Sequence, residues 1–416
     1  MPSSSLAGTI RLLSVGVLAL LAGCVALQEP RNRAAVTEGQ GYQPAQRAFG
    51  SERGEGAEAE SKFFAMSLRE DMDLSRCRAN TQYDGLPLLR PNREEVAISK
   101  GDLLRIVVLD DDLLSGDFEI EGEGLLRLPQ MPAFTAHGVT TETLEAQVRR
   151  ALVTHRLYRN EGPPVSIKII DRAPVLVHVT GAVFEPGMVE INQKFEQERD
   201  ALRQTASGDL PTNRTLSKSL RAAAGVRPDA DIQRIVIRRE GIAYRVDMKA
   251  AAMERRFFDP YMMADDEIDV PSMGCFQPAL AKDGPLTRTG VKVQLSNLTT
   301  PALRNSASAI EEDARSLKYG TTLLQVLFKM NCVGGVAATS ADRHALLVSK
   351  NPMTGESEVI RRSIEDLIRR SDRDEHNPIL MPDDSIACYD SDVTNVRDVL
   401  SSFSNLAIPL TLLGLL

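Results

Sequence analysis

Residues with the chemistry for catalysis or metal binding are few and scattered in this sequence of 416 residues. The five histidines include no pair at helical i, i+4 spacing, and the motifs HExxH, GxSxG and GxxxxGK are absent. The run Asp110-Asp111-Asp112 lacks the spaced oxygens, the glycine and the final glutamate of an EF-hand loop, so we interpret it as a solvated loop. The pairs Asp265-Asp266 and Asp383-Asp384 precede strand-like segments and are expected to fix turns. We predict no enzyme, no catalytic residue, no cofactor and no metal site.

The composition excludes one class of partner. The net charge is −8, whereas binding to nucleic acid requires clustered Lys and Arg to neutralise phosphates. Aromatic residues make up 5% of the chain and tryptophan is absent. Because tight sugar sites usually stack sugars on large aromatic rings, this composition disfavours a high-affinity sugar pocket and is compatible with a polymer in transit.

The first 23 residues have the pattern of a secretory signal peptide. Arg11 precedes an apolar run through Leu21 that is too short for a bilayer core of about 30 Å, which needs about 20 apolar residues. The tetrad Leu21-Ala22-Gly23-Cys24 resembles a bacterial lipobox, and the resemblance implies cleavage before Cys24 and lipid attachment to it. Val25 resembles a signal for sorting to the outer membrane. The alternative is an ordinary signal peptide with a chance cysteine.

Four further cysteines follow Cys24. An exported compartment permits disulfides, and four cysteines allow three pairings among which the sequence does not choose. One or two disulfides and buried thiols both remain open. No Cys/His spacing suggests zinc. These four residues are Cys77, Cys275, Cys332 and Cys388.

Alternating apolar residues begin after Val96 and predict a compact α+β domain. Strand-like runs cover 103–109, 118–121 and 125–128, a helix opens at Thr140, and a further strand covers 165–170. The motifs along this stretch keep the order and spacing of the polysaccharide export domain of outer-membrane polysaccharide export proteins, which residues 94–172 resemble. A departure from that pattern lies at 130–134. The residues that carry the resemblance are Gly101, Asp102, Leu114, Ser115, Gly116, Leu128 and Pro129.

Residues 173–272 resemble the soluble-ligand-binding β-grasp module that follows the export domain in that family. A strand at 175–183 contains Gly181 and leads into the turn Pro186-Gly187. A helix follows at 216–224, then a hairpin around Gly241 and a closing strand at 263–271, while 193–213 looks like an insertion. Residues 322–388 repeat this order at an offset of roughly 110–120 residues and predict a second module. The alternative is a coincidental set of β-hairpins.

The C-terminal segment 393–416 has the pattern of an amphipathic helix of about 36 Å, close to the thickness of a hydrocarbon core. A ring of such helices would face lipid with the apolar side and a water-filled lumen with the polar side. The alternative is a helix that docks on its own protein or lies flat on a membrane. The predicted lipid face comprises Val396, Val399, Leu400, Phe403, Leu406 and Leu410. The expected lumen face comprises Arg397, Ser401, Ser404 and Asn405.

Together these patterns predict a multi-domain α+β protein. The expected order is a signal peptide (1–23), a lipid-anchored tether (24–93), the export domain (94–172), two β-grasp modules (173–272 and 273–392) and an amphipathic transmembrane helix (393–416). The resemblance implies a passive outer-membrane channel for capsular polysaccharide or exopolysaccharide, formed by an octameric ring whose bulk lies in the periplasm. It also implies an inner-membrane polysaccharide co-polymerase or tyrosine kinase as partner. The alternative is a monomeric lipid-anchored protein that binds polysaccharide or peptidoglycan in the periplasm.

Overall fold

The described residues form a mixed α and β structure with several sheets and few helices. The computed structural model describes residue 43 and residues 81–89, 97–158, 163–193, 213–253, 255–297, 315–330, 332–333 and 343–389. Two compact units are present: Met72–Thr289, and Met1–Asp71 together with Gly290–Leu416. Within the described ranges, no helix is long and apolar enough to cross a membrane. The predicted signal peptide, Cys24, Cys77 and the helix at 393–416 lie outside these ranges.

The export domain is a three-stranded antiparallel sheet covered on one face by a helix. Its central strand alternates strictly, so that Leu104, Ile106 and Val108 are buried. The helix begins after Thr140, whose hydroxyl accepts a hydrogen bond from the Thr143 amide at 3.2 Å, as the cap chemistry predicted. The sheet order is β2-β1-β5, with β3 and β4 paired separately. The elements are β1 (Leu103–Val108), β2 (Asp111–Glu119), β3 (Leu125–Leu126), β4 (Phe134–Thr135), α1 (Thr141–Thr154) and β5 (Val165–Asp171).

Module 1 is a five-stranded mixed sheet in the order β7-β6-β10-β8-β9, in which β6 and β10 run parallel. Its elements are β6 (Val175–Gly181), β7 (Gly187–Ile191), α2 (Leu216–Ala222), β8 (Ile235–Arg239), β9 (Ile242–Val246), α3 (Lys249–Ala252) and β10 (Glu267–Val270). The predicted boundary after residue 272 differs from the structure, because Leu280 and Leu286 belong to the core of this module. Residues 273–289 therefore complete module 1 and not module 2.

Module 2 repeats the same sheet topology. Its strand order is β12-β11-β15-β13-β14, and β11 and β15 run parallel as β6 and β10 do. The order matches that of module 1 strand by strand, which argues against a chance set of hairpins. Its elements are β11 (Gly290–Asn297), β12 (Arg315–Lys318), α4 (Leu323–Lys329), β13 (His344–Lys350), β14 (Ser357–Ser363), α5 (Ile364–Arg369) and β15 (Ser385–Tyr389).

The two Asp-Asp pairs occupy matching turns of the two modules, just before the parallel closing strand. The first aspartate has a left-handed backbone in both, with φ of 68° at Asp265 and 65° at Asp383. The second is buried, and its carboxylate accepts the amide of the residue three positions earlier, at 2.7 Å for Asp266 and 2.8 Å for Asp384. The turn-fixing role predicted for these pairs is confirmed.

Three further features differ from the sequence prediction or were left open by it. Cys332 and Cys388 form a disulfide within module 2, and Cys275 is also disulfide-bonded. The last part of the predicted tether packs on module 1: the Leu89 amide donates to the Arg245 carbonyl of β9 at 2.8 Å. The predicted third strand of the export domain is shorter than expected, because a turn begins at Leu128 and the Met131 amide donates to its carbonyl.

Candidate functional site

The predicted motif Gly101-Asp102 lies where the export domain meets module 1. We call this contact the joint. It brings Ser99, Lys100, Gly101 and Asp102 of the export domain against Ala173, Arg214, Ala264 and Asp265 of module 1. Among the described residues, no group of His, Cys, Asp and Glu side chains is arranged to hold a metal ion. The joint is held by ion pairs and hydrogen bonds between these residues.

The Asp102 carboxylate is the centre of the joint and is fully buried. One of its oxygens accepts from the Arg214 guanidinium at 2.7 Å and from the Ala173 amide at 3.1 Å. The other oxygen accepts from the Ser99 amide at 2.9 Å and lies 3.6 Å from the Arg172 guanidinium. A buried carboxylate is costly unless it is both paired and hydrogen-bonded, and this one meets both conditions.

Arg214 also bonds to the main chain of module 1 beside the joint. Its side chain is 1% exposed, and its Nε donates to the Met262 carbonyl at 2.8 Å. The link between domains is reinforced by Asn192, whose amide donates to the carbonyls of Arg172 at 2.8 Å and Ala173 at 3.2 Å. The segment between the two domains is thus held at several points, which favours one fixed relative orientation.

Gly101 is required at the joint by its backbone and its surroundings. Its φ of +79° is left-handed, and a Cβ at this position would lie 2.8 Å from the Ala173 Cβ. Next to it, the Lys100 ammonium pairs with the Asp265 carboxylate, and the Ser99 hydroxyl accepts from the Ala264 amide at 3.1 Å. The glycine therefore permits the close approach that the polar contacts require.

One histidine lies close to the joint. Burial lowers the pKa of His137 below its ordinary value, the positive charge of Lys100 lowers it further, and the carboxylates of Glu240 and Asp265 oppose this. The Glu240 carboxylate lies so close to Gly138 that a Cβ there would meet it at 2.4 Å. The imidazole is thus biased towards its neutral form.

The motif Leu114-Ser115-Gly116 shapes the β1–β2 hairpin. Leu114 is buried in the core. The Ser115 hydroxyl accepts from the Val108 amide at 3.0 Å and donates to the Asp111 carbonyl at 2.6 Å, across an irregularity in the strand register. This arrangement projects large apolar side chains into solvent. The apolar tip comprises Val107, Leu109 and Leu113, which are 49%, 54% and 59% exposed.

The remaining motif residues have structural positions. Leu128 is buried in the core of the export domain, and Pro129 follows it in the turn that precedes Met131. Gly181 has φ of +87°, and a Cβ there would lie 2.1 Å from the Val270 carbonyl oxygen. Pro186 lies in the connection between β6 and β7, and Gly187 is the first residue of β7. Cys24 and the predicted lipid-face and lumen-face residues lie outside the described ranges.

An open groove lies on module 1 beside α2. Its lining includes Lys218 and Arg221 of α2 and the segment 283–285. Ser217, which also lines the groove, is held by Asp259, whose carboxylate accepts from its hydroxyl at 2.6 Å and from its amide at 3.0 Å. The groove presents two cations and the single carboxylate of Asp283, a pattern that suits an anionic group better than a neutral one.

The sequence did not indicate Arg214, Arg172 or Asn192. Each partner is far from Asp102 along the chain, and none belongs to a periodic pattern or a motif. A lone arginine before a helix carries no local signal of burial, because Arg is mostly exposed in proteins. The predicted Gly101-Asp102 motif was the local indication of such partners, because an aspartate buried at the start of an apolar strand needs one.

Comparison with known proteins supports the resemblance seen in the motifs. Residues 90–170 match the family model described as polysaccharide biosynthesis/export protein. No curated protein matches the chain. The match covers the export domain and includes the motifs from Gly101 to Pro129. The chain therefore carries a polysaccharide biosynthesis/export domain, which supports its involvement in polysaccharide export.

Proposed function

We propose that this chain is a subunit of an outer-membrane channel that exports capsular polysaccharide or exopolysaccharide. The observation that carries the proposal is the export domain locked to module 1 through the buried Asp102–Arg214 pair. A passive conduit needs no catalytic group, but its wall needs domains of fixed relative orientation so that copies pack alike. A second module of the same topology follows along the chain.

The apolar tip is the surface that we assign to contact with a second copy of the chain. Large apolar side chains clustered on a soluble surface commonly mark protein interfaces. Val107, Leu109 and Leu113 lie at the end of one hairpin, and the edge strand β2 lies beside them. In a ring, each copy presents this surface to a different surface of its neighbour, as heterologous interfaces do.

The membrane part of the proposal rests on the sequence at both ends. Lipid on Cys24 would attach the chain to the outer membrane, and helices formed by 393–416 would line the pore with Arg397, Ser401, Ser404 and Asn405 facing water. The bulk of the protein then lies in the periplasm, where an inner-membrane polysaccharide co-polymerase or tyrosine kinase can contact it. The export domain itself is consistent with a place in the cell envelope.

The proposal is tested by the size of detergent-extracted particles and by surface polymer. Wild-type particles should be rings of several copies, and the resemblance to the polysaccharide export family implies an octamer. Leu113→Asp should dissociate them, because a charge cannot be buried unpaired in an apolar contact. Leu176→Asp on β6 is the control, since Leu176 is a similarly exposed leucine, at 52%. A chain lacking 393–416 should stay anchored and lose surface polymer.

A monomeric polysaccharide-binding protein is the second candidate, and the groove beside α2 favours it. Lys218 and Arg221 could hold an acidic polymer without any ring. A particle of one copy that binds polymer through these residues would support this candidate. Monomers in mild detergent, or normal polymer display without 393–416, would refute the channel.

A further inference from the structure

The two modules share a backbone position just before the closing turn. In module 1, Thr215 pairs with Tyr261 in a β-bridge at the start of α2. In module 2, Thr322 pairs with Ile379 in the same way at the start of α4. The carbonyl oxygens of Tyr261 and Ile379 therefore occupy equivalent places, and what satisfies each of them can be compared directly.

In module 1, the donor to the Tyr261 carbonyl comes from the module itself. The Arg239 guanidinium donates to the Tyr261 carbonyl at 2.9 Å. The same group holds both oxygens of the buried Asp266 carboxylate, at 2.8 and 2.7 Å. A single side chain at the end of β8 thus ties together the closing turn and the segment before it, a bidentate arrangement that arginine geometry favours.

Module 2 has no arginine at the equivalent position. In module 1, Arg238 pairs with Glu267 across β8 and β10, and in module 2, Val348 pairs with Ser385 across β13 and β15. The next residue along each strand is Arg239 in module 1 and Ser349 in module 2. The Ser349 side chain is too short to reach the Ile379 carbonyl in the way that the Arg239 guanidinium reaches the Tyr261 carbonyl. The Ile379 carbonyl must take a donor from elsewhere.

That donor is Gln43, which comes from the N-terminal part of the chain. Its amide nitrogen donates to the Ile379 carbonyl at 2.8 Å, and its amide oxygen accepts from the Ile379 amide at 2.7 Å. The Gln43 residue is fully buried. The side-chain amide thus pairs with the main chain of module 2 as a neighbouring strand would, and buried amides of this kind are kept only when both ends are satisfied.

We propose that module 2 carries a docking site for the N-terminal segment, and that Gln43 is the residue that occupies it. Module 1 closes on its own arginine, whereas module 2 is completed by a segment more than 330 residues away in sequence. The site recognises a carboxamide, because the Ile379 amide and carbonyl demand one acceptor and one donor on a planar group.

The docking has a geometric consequence that rests on the proposed lipid anchor. Gln43 lies nineteen positions after Cys24, and a fully extended chain spans at most about 3.3–3.6 Å per residue. Gln43 is thus held within roughly 65 Å of a lipidated Cys24. The docking site on module 2 lies within the same reach, which limits its distance from the outer membrane to roughly 65 Å.

Hydrogen exchange in the full chain tests the docking site. Gln43→Ala should raise exchange of the Ile379 amide at least tenfold and speed proteolysis within residues 24–80. Gln294→Ala, which alters an exposed glutamine of the same module, should change neither. Ser349→Arg supplies the arginine of module 1 and should release the segment as Gln43→Ala does, with module 2 still folded.

The outcomes separate the docking site from the lipid anchor. Unchanged exchange at Ile379 in Gln43→Ala, or a change equal to that of Gln294→Ala, would overturn the docking site. Cys24→Ser should abolish incorporation of labelled fatty acid into the chain and leave exchange at Ile379 as in the wild type. A wild-type chain that incorporates no fatty acid would refute the anchor alone.

Discussion

Replacing Asp102 with alanine removes the carboxylate from the centre of the joint and leaves two arginines without it. Arg214 is 1% exposed and Arg172 is 7% exposed at the side chain, so neither guanidinium can turn to water without movement of the chain. Removing one partner of a buried ion pair typically costs about 3–5 kcal/mol. The Ser99 and Ala173 amides also lose their acceptor. We expect the free energy of unfolding to fall by about 3–5 kcal/mol.

The measurement is the unfolding of the full chain in mild detergent by calorimetry and by denaturant, followed by circular dichroism. Asp102→Asn is a useful companion, because it keeps the shape and loses the charge. Asp117→Asn is the matched control: Asp117 also forms a two-point contact with an arginine, Arg105, but both side chains are more than 40% exposed. Exposed pairs contribute little, so this variant should unfold like the wild type.

Two results would contradict the role assigned to the joint. If Asp102→Ala lowers the unfolding free energy no more than Asp117→Asn does, the buried pair does not hold the domains together. If Asp102→Ala unfolds normally but the two domains lose their fixed orientation, as judged by cross-linking Lys100 to module 1, the pair sets orientation without contributing stability.

Three further predictions concern the modules and pH. Gly181→Ala should prevent folding of module 1, because the added Cβ would lie 2.1 Å from the Val270 carbonyl oxygen. Gly241 is also left-handed but lies in open space, so Gly241→Ala should lower the free energy of unfolding by only about 1 kcal/mol. Resistance to protease distinguishes the two variants. Cys388→Ser opens a loop of 56 residues and should lower the unfolding free energy of module 2 by about 4 kcal/mol in the loop-entropy estimate, seen as a lower denaturant midpoint; an unchanged midpoint would contradict it. Because the pKa of His137 is lowered in the folded state, the unfolded state binds more protons below pH of about 6.5, so stability should fall as pH drops from 7 to 5.5; burial lowers the pKa of His376 as well, so His137→Gln should reduce that dependence in denaturant titrations without abolishing it.

Local patterns in the sequence predicted most of the regular structure. The alternation of Leu104, Ile106 and Val108 determines a half-buried strand, because side chains on a strand point to opposite faces in turn. Thr140 determines a helix start, since its hydroxyl satisfies an amide that the helix leaves unpaired. The repeated Asp-Asp turn predicted a second module, which the matching strand order of the two sheets supports.

Contacts between distant segments could not be predicted from the sequence. The sequence marked Asp102 and left its partners unknown, because Arg214 lies 112 positions away. The same holds for the position of residues 273–289, which read as the start of a new module and instead fill the core of the preceding one through Leu280 and Leu286. Hydrophobic burial is not directional. The pattern of a segment therefore predicts that it is buried, but not which residues it packs against.

The sequence by itself determined the order of elements, the turn chemistry and the resemblance to an export domain, since these depend on neighbours within a few residues. Only the tertiary structure decided which charges meet at the joint, which cysteine pairs with Cys332, and that Gln43 docks on the main chain of Ile379. Each of these contacts closes a long loop, and the entropy of closing it depends only weakly on its length. Many distant partners are therefore nearly equivalent in the unfolded chain, and the packed structure selects among them.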